Sequence, residues 1–408
     1  MVIAILVSCV QLSYAADAVL LPLDNVVQVA AGGDFSMALR ADGTVWTWGN
    51  NAYKQLGLGP GAALELVARK VPTLDSVKAI AAGLNHAVAV KDDGTVWVWG
   101  TAGYGGDYSD VPKHKNNVHL QNIVAVSAGA NHVVALRGDG TLWAWGKNNY
   151  SQLGNGFAAD SWTPVSVRNI DSVVAIATGQ DHNLALRSDG SVWSWGHNGH
   201  GQLGDGKTTN SSSVIKLNLG VSMTAIGTGR WHSFAITDKG DLYGWGKNAE
   251  GQLGFSSTAI KEPRYLVNTP LSLAVSGGAD FTILTSNTGL WSWGKNGYGQ
   301  LGNDLTGFVP PTLTSINAGQ IACGSYHSLG ISPAGIAYAW GRNNFSQLGR
   351  GSATPSQSGD AQPVLYWYEA PPVVSKPLTI TAHSKNKVYG ETEPELTYDI
   401  TSDRKSVV

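Results

Sequence analysis

Five histidines are the side chains best suited to chemistry in this sequence: His86, His132, His182, His232 and His327. Imidazole changes charge near neutral pH and serves as a proton shuttle or metal ligand. Either role needs several groups gathered at one place. Here each histidine follows a glycine by three residues, after Gly83, Gly129, Gly179, Gly229 and Gly324. The same offset from Gly32 and Gly278 holds Phe35 and Phe281. Phenylalanine neither ligates a metal nor transfers a proton. One position of a recurring unit also spreads its occupants around a fold. The histidines are therefore expected to be structural and hydrogen-bonded, against the alternative of a metal or acid–base centre.

Other reactive groups are sparse. Cys323 lies in the apolar run Ile321-Ala322-Cys323 and reads as a small buried hydrophobe. Cys9 falls in a segment expected to be removed, which leaves no intrachain disulfide and no cysteine metal cluster. No nucleophile–base pairing, paired-carboxylate spacing or phosphate-binding loop stands out. The glycine-rich stretches join strand to strand, not strand to helix. The expectation is a protein that is not an enzyme, with no cofactor and no metal.

The elements that carry these residues are repeats. Trp-Gly recurs at Trp48, Trp99, Trp145, Trp195, Trp245, Trp293 and Trp340, in steps of 46 to 51 residues. Two residues earlier stand Trp46, Trp97, Trp143, Trp193, Tyr243, Trp291 and Tyr338. Downstream, six units carry Gln-Leu-Gly, and the second reads Tyr104-Gly105-Gly106-Asp107 instead. Each unit reads as four short strands. In the third, Val124–Ala128 and Val133–Arg137 are apolar, Asp139-Gly140 makes a hairpin, and Leu142–Trp145 alternates. Thr163–Val167 makes a fourth strand, whose Pro164 belongs on an exposed edge. Seven such sheets bury their faces by stacking radially, so the fold class is all-β, a seven-bladed β-propeller of four-stranded blades. Val19–Leu23 and Gln362–Leu365 both resemble a fourth strand, so either could latch the ring.

Composition agrees. The 408 residues are 43% hydrophobic and 14% charged, enough to bury a large core. Net charge is −2 without a basic run, which argues against nucleic-acid binding. Residues 1–15 read as an export signal, with a short apolar run from Val2 to Val10 and cleavage after Ala15. Leu6-Val7-Ser8-Cys9 loosely resembles a lipoprotein box. The apolar run is too short to span a bilayer, and no later segment qualifies. Residues 16–368 read as the propeller. Gly351 to Gln362, rich in Ser, Pro and Gly, reads as a linker, as do residues 369–376.

The pattern of unit four carries a family resemblance: Gly179, His182, Asp189-Gly190, Val192, Trp195-Gly196, Asn198 and Gly201-Gln202-Leu203-Gly204. It resembles the regulator of chromosome condensation repeat over roughly residues 18 to 368, which implies a seven-bladed propeller. That family's founding member is a nuclear guanine-nucleotide exchange factor that binds chromatin, and the fold also includes a secreted bacterial β-lactamase inhibitor. A second resemblance lies in Pro377–Ala382, Lys387-Val388-Tyr389-Gly390-Glu391 and Pro394–Tyr398, which look like the opening of an MBG module, a bacterial immunoglobulin-like repeat. Residues 377–402 would be an incomplete copy. One choice of codons for residues 403–408 resembles a sequencing adapter, so that tail is expected to be non-native.

Two columns are candidates to face a partner. One precedes the ring His or Phe: Asp34, Asn85, Asn131, Asp181, Trp231, Asp280 and Tyr326. The other lies four residues after the Trp-Gly glycine: Tyr53, Tyr104, Tyr150, His200, Glu250, Tyr298 and Phe345. Alternating strand direction puts both on one face of the ring. Asn and Asp also suit tight turns, which is the bland account of the first column. Trp231 and Tyr326 break it, and exposed Trp and Tyr are common binding hot spots. The sequence thus reads as an exported, monomeric propeller that recognises a protein or surface polymer through one face. Nucleotide-exchange activity is the runner-up, and a carbohydrate-active enzyme a distant third.

Overall fold

The computed structural model describes residues 19–61, 63–101, 109–267, 269–303, 305–368, 379–382 and 398–401. Every regular element among them is a β-strand. In blade three, Ile123–Ala128, His132–Arg137, Leu142–Gly146 and Ser161–Ser166 pair in sequence order, each antiparallel to the last. Every repeat builds such a sheet from its own four strands, giving the seven blades. The inner strand of each blade touches that of the next, and Val26–Ala31 of blade one meets Gln320–Cys323 of blade seven.

Closure uses both sequence candidates. The fourth strand of blade seven is Gln357–Pro363, which starts in the stretch read as a linker and ends on Gln362 and Pro363 of the second candidate. The chain then crosses to blade one, where Leu365–Tyr368 pairs parallel to the outer strand Leu64–Lys70. Val19–Pro22 adds outside it, so the blade-one sheet has six strands. Both terminal strands therefore latch blade one, and neither supplies a missing blade strand. The propeller unit runs from Leu20 to Trp367. In a separate unit, Thr379–Ala382 pairs antiparallel with Tyr398–Thr401, within the segment read as an MBG-like module. The proposed signal 1–15, the linker 369–376 and the tail 403–408 lie outside the described residues.

The core lies between blades. Trp48, Trp99, Trp145, Trp195, Trp245, Trp293 and Trp340 are fully buried. Trp195 packs with Val134, Leu136 and Leu142 of the preceding blade. Burying a tryptophan removes roughly 150–250 Å² from water, about 4–6 kcal/mol each before entropy. The glycine after each Trp is required by the backbone. Gly146 has φ +115°, and a Cβ there would meet the Asn131 carbonyl at 2.4 Å. The opposite face carries the Asp-Gly hairpins. Asp139 Oδ1 accepts from the Thr141 amide at 3.0 Å and its hydroxyl at 2.6 Å. The hydrogen bonds from Thr141 hold the Asp139 carboxyl below its usual range.

Candidate binding face

A belt of hydrogen bonds ties the blades beneath this face. The Trp Nε1 of one blade donates to the Gln carbonyl of the Gln-Leu-Gly loop in the blade before it. Trp245 reaches Gln202 O at 2.9 Å, and Trp48 reaches Gln347 O at 2.9 Å across the closure. The residue after the ring His or Phe donates to the same carbonyl: Asn183 to Gln152, Ser233 to Gln202, and Ser36 to Gln347. That residue in turn meets the histidine of the preceding blade. His132 Nε2 lies 2.8 Å from Asn183 Oδ1, His182 Nε2 2.9 Å from Ser233 Oγ, His232 Nε2 3.1 Å from Thr282 Oγ1, and His327 Nε2 3.0 Å from Ser36 Oγ. Each hydroxyl proton is already committed to a carbonyl, so the ring nitrogen must donate, which fixes the Nε2–H tautomer. The histidines are fully buried. Burial pulls His86, His182, His232 and His327 down to about 3 and outweighs the Asn183 bond in lowering His132. They are neutral girders, placed in different blades.

The Gln side chain organises the loops above. Its Oε1 accepts from the backbone of the second column: Tyr53, Tyr150, His200, Glu250, Tyr298 and Phe345. Its Nε2 reaches the first column at 3.3 Å in three blades: Gln347 to Asp34, Gln152 to Asp181, and Gln252 to Asp280. These aspartates therefore bridge blades. Burial raises Asp34, against the opposing charge of Arg342, and raises Asp181 as well.

Trp231 and Tyr326 replace that bridge with aromatic rings. Both are half-buried. The Arg230 guanidinium at 4.3 Å and the Lys247 ammonium at 4.7 Å both lie over the Trp231 ring, with the His200 ring at 5.2 Å. Lys247 also pairs with Asp280 at 2.8 Å. The Gln202 amide, lacking an aspartate, lies 2.7 Å from His197 Nδ1 instead. In blades six and seven, Arg342 sits over Tyr298 at 5.4 Å, Tyr326 at 5.7 Å and Phe345 at 5.5 Å. Its carboxylate partner is Asp34 at 3.6 Å. Tyr53 and Tyr150 are exposed, at 43% and 39%. Tyr104 lies outside the described residues.

The structure brings together two aromatic–cation patches and leaves Tyr53 outside both. Sequence reading missed their cations. Lys147, Lys247, Lys295 and Arg342 all directly follow the Trp-Gly glycine, in phase with the repeat. At the centre, the inner strands enclose a channel of about 630 Å³, with Asp34, Asn131, Arg230 and Tyr326 lining it from the loop side. Cys323 lies in its wall, where burial pushes the thiol up to about 12 and so keeps it protonated at neutral pH. Among the described residues no group of His, Cys, Asp and Glu could hold a metal ion.

A closed seven-bladed ring with this Trp-Gly and Gln-Leu-Gly belt defines the class of repeat propellers to which the chain can be compared. Residues 12–216 and 109–366 match the RCC1-like domain, and the chain belongs to that family. It is 30% identical over 156 residues to the ultraviolet-B receptor UVR8 of Arabidopsis thaliana, covering 36% of this chain and 35% of the receptor. It is 40% identical over 77 residues to the secretion-regulating guanine nucleotide exchange factor of Bos taurus, covering 19% of this chain and 17% of the relative. The matches thus span about a third or less of these relatives. Among solved structures, human WBSCR16 superposes with TM-score 0.71 at 25% identity, covering 79% of this chain and 94% of its own. Prp20p from Saccharomyces cerevisiae, known with its binding properties to Gsp1p and histones, gives 0.67 at 25% identity, covering 73% and 80%.

Proposed function

We propose that the propeller is an exported recognition module, without catalysis of its own, that binds a protein or surface polymer through the Gln-Leu-Gly loop face. One observation carries the choice of face: Trp231 stands where other blades place a bridging aspartate, and it is held half-exposed with Arg230 and Lys247 over its ring. A rigid ring loses little entropy when it is covered, which is the property of an anchor. Export rests on the signal-like residues 1–15 and the MBG-like segment. The patches carry cations, Arg230 and Arg342, so a partner surface bearing carboxylates fits them best.

Trp231→Ala should weaken the captured partner at least roughly tenfold, as truncating a hot spot does. Two cation–π contacts limit the stability loss to about 1–2 kcal/mol. Asp189→Ala, on the opposite face, should leave affinity unchanged. The test is titration of the partner recovered with the isolated propeller. Undiminished affinity in a folded Trp231→Ala protein would place recognition elsewhere. Raising salt from low to physiological ionic strength should also weaken binding, because exposed charge pairs are screened.

Guanine-nucleotide exchange is the second reading, favoured by the identity to the Bos taurus exchange factor. Accelerated nucleotide release from a small GTPase would establish it.

A further inference from the structure

The belt is broken at one seam. Blade two lacks Gln-Leu-Gly, and the residue facing its histidine across the seam is Val133, where blades one, four, five, six and seven have Ser36, Asn183, Ser233, Thr282 and Ser328. Both ring nitrogens of His86 are buried without a partner, and so is the Nε1 of Trp145, whose counterparts in the other blades donate to the Gln carbonyl of the loop before them. Where both sides are apolar, as with Phe35 and Ala87 at the preceding seam, no ring nitrogen is stranded, and the unpartnered atom there is the Gln55 amide nitrogen. Stranding a buried polar group costs its full desolvation.

The backbone ties at this seam are also the longest of their kind. Across the loop face, Leu84 N reaches Ala130 O at 3.3 Å, against 2.9 to 3.2 Å for the equivalent bonds from Gly33, Ala130, Gln180, Arg230 and Ala279. Across the hairpin face, Ile123 N reaches Gly94 O at 3.3 Å, against 2.9 to 3.1 Å for those from Val26, Val77, Val173, Met223 and Ser272. The rest of the seam is held by apolar packing of Val88, Val90, Val96, Val133 and Trp145, with one outer tie from Lys115 Nζ to Trp162 O at 2.8 Å. By contrast, the closure between blades seven and one keeps its His327–Ser36–Gln347 relay and gains two added strands.

We infer that the ring opens first between blades two and three, not where the ends of the chain meet, and that this seam is the hinge of any opening motion. Local opening of this kind is read by amide exchange. In the full chain under native conditions, Leu84 and Ile123 amides should show at least tenfold lower protection than Arg230 and Ser272, their counterparts between blades five and six. His86→Phe inserts the residue that blades one and six already carry, and it should raise the denaturation midpoint and slow exchange at Leu84 and Ile123. His182→Phe removes the hydrogen bond that His182 donates to Ser233 and should lower the midpoint. Equal or greater protection at Leu84 and Ile123 in the unsubstituted chain would overturn the inference without any variant. A His86→Phe protein destabilised as much as His182→Phe would do the same.

Discussion

Lowering the pH from 7 to 5 should cost the propeller on the order of 8 kcal/mol. Four histidines, His86, His182, His232 and His327, are held near pKa 3 by burial, against about 6.5 in the unfolded chain. Between those values the unfolded state binds protons that the folded state refuses, so stability falls as pH falls. It is full above about 6.5 and drains until about 3. At pH 5 each histidine contributes about 1.5 units, or about 2 kcal/mol. His132 adds in the same direction. Asp34 and Asp181 act oppositely, since burial raises them and lets the folded state take up protons first. A domain's whole stability is about 5–15 kcal/mol, so acid unfolding should set in well above the carboxylate range. Denaturant midpoints followed by tryptophan fluorescence at pH 7, 6 and 5 measure this directly. His86→Phe should remove about a quarter of the four-histidine slope. A midpoint unchanged from pH 7 to 5 would mean that the histidines charge inside the fold, contrary to the girder role.

Much of the architecture was legible in the sequence because it is a repeat. Trp-Gly, the glycine three before the histidine and Gln-Leu-Gly keep one phase through the ring, and each marks a backbone or packing need that recurs. Phe35 and Phe281 already argued that the histidines are scaffold. The relay that uses them was hidden, because His132 and Asn183 belong to different blades and only a closed ring makes them neighbours. The cations after Trp-Gly were in plain phase. Their significance depends on Tyr298 of one blade leaning on Arg342 of the next. The full extent of the last blade strand was missed for a different reason. Outer strands pair through backbone, and Gln357–Pro363 is mostly exposed or half-buried, so no apolar pattern marks it apart from a linker.

Trp245→Ala should cost about 3–5 kcal/mol, several times the cost of Trp231→Ala only fourteen positions away. Trp245 is fully buried among Leu184, Leu186, Val192, Leu217, Met223 and Ala235. A Cβ on Gly204 would lie 2.8 Å from its ring nitrogen, so the loop above is already in contact and cannot collapse far into the space left. Large-to-small changes in such a site lose both transfer energy and the cavity term. Gln202 O keeps the Ser233 hydroxyl as a donor, so no orphaned carbonyl adds to the loss. The column is not uniform, though. Trp245 Nε1 donates to Gln202 O, whereas Trp145 Nε1 has no partner. Replacement by phenylalanine removes similar ring area at both positions but a hydrogen bond at only one. Trp245→Phe should therefore be about 1 kcal/mol more costly than Trp145→Phe, the net contribution of one buried bond. Urea midpoints of the two variants give that difference. Equal losses would mean that the belt hydrogen bonds add nothing to the packing of the blades.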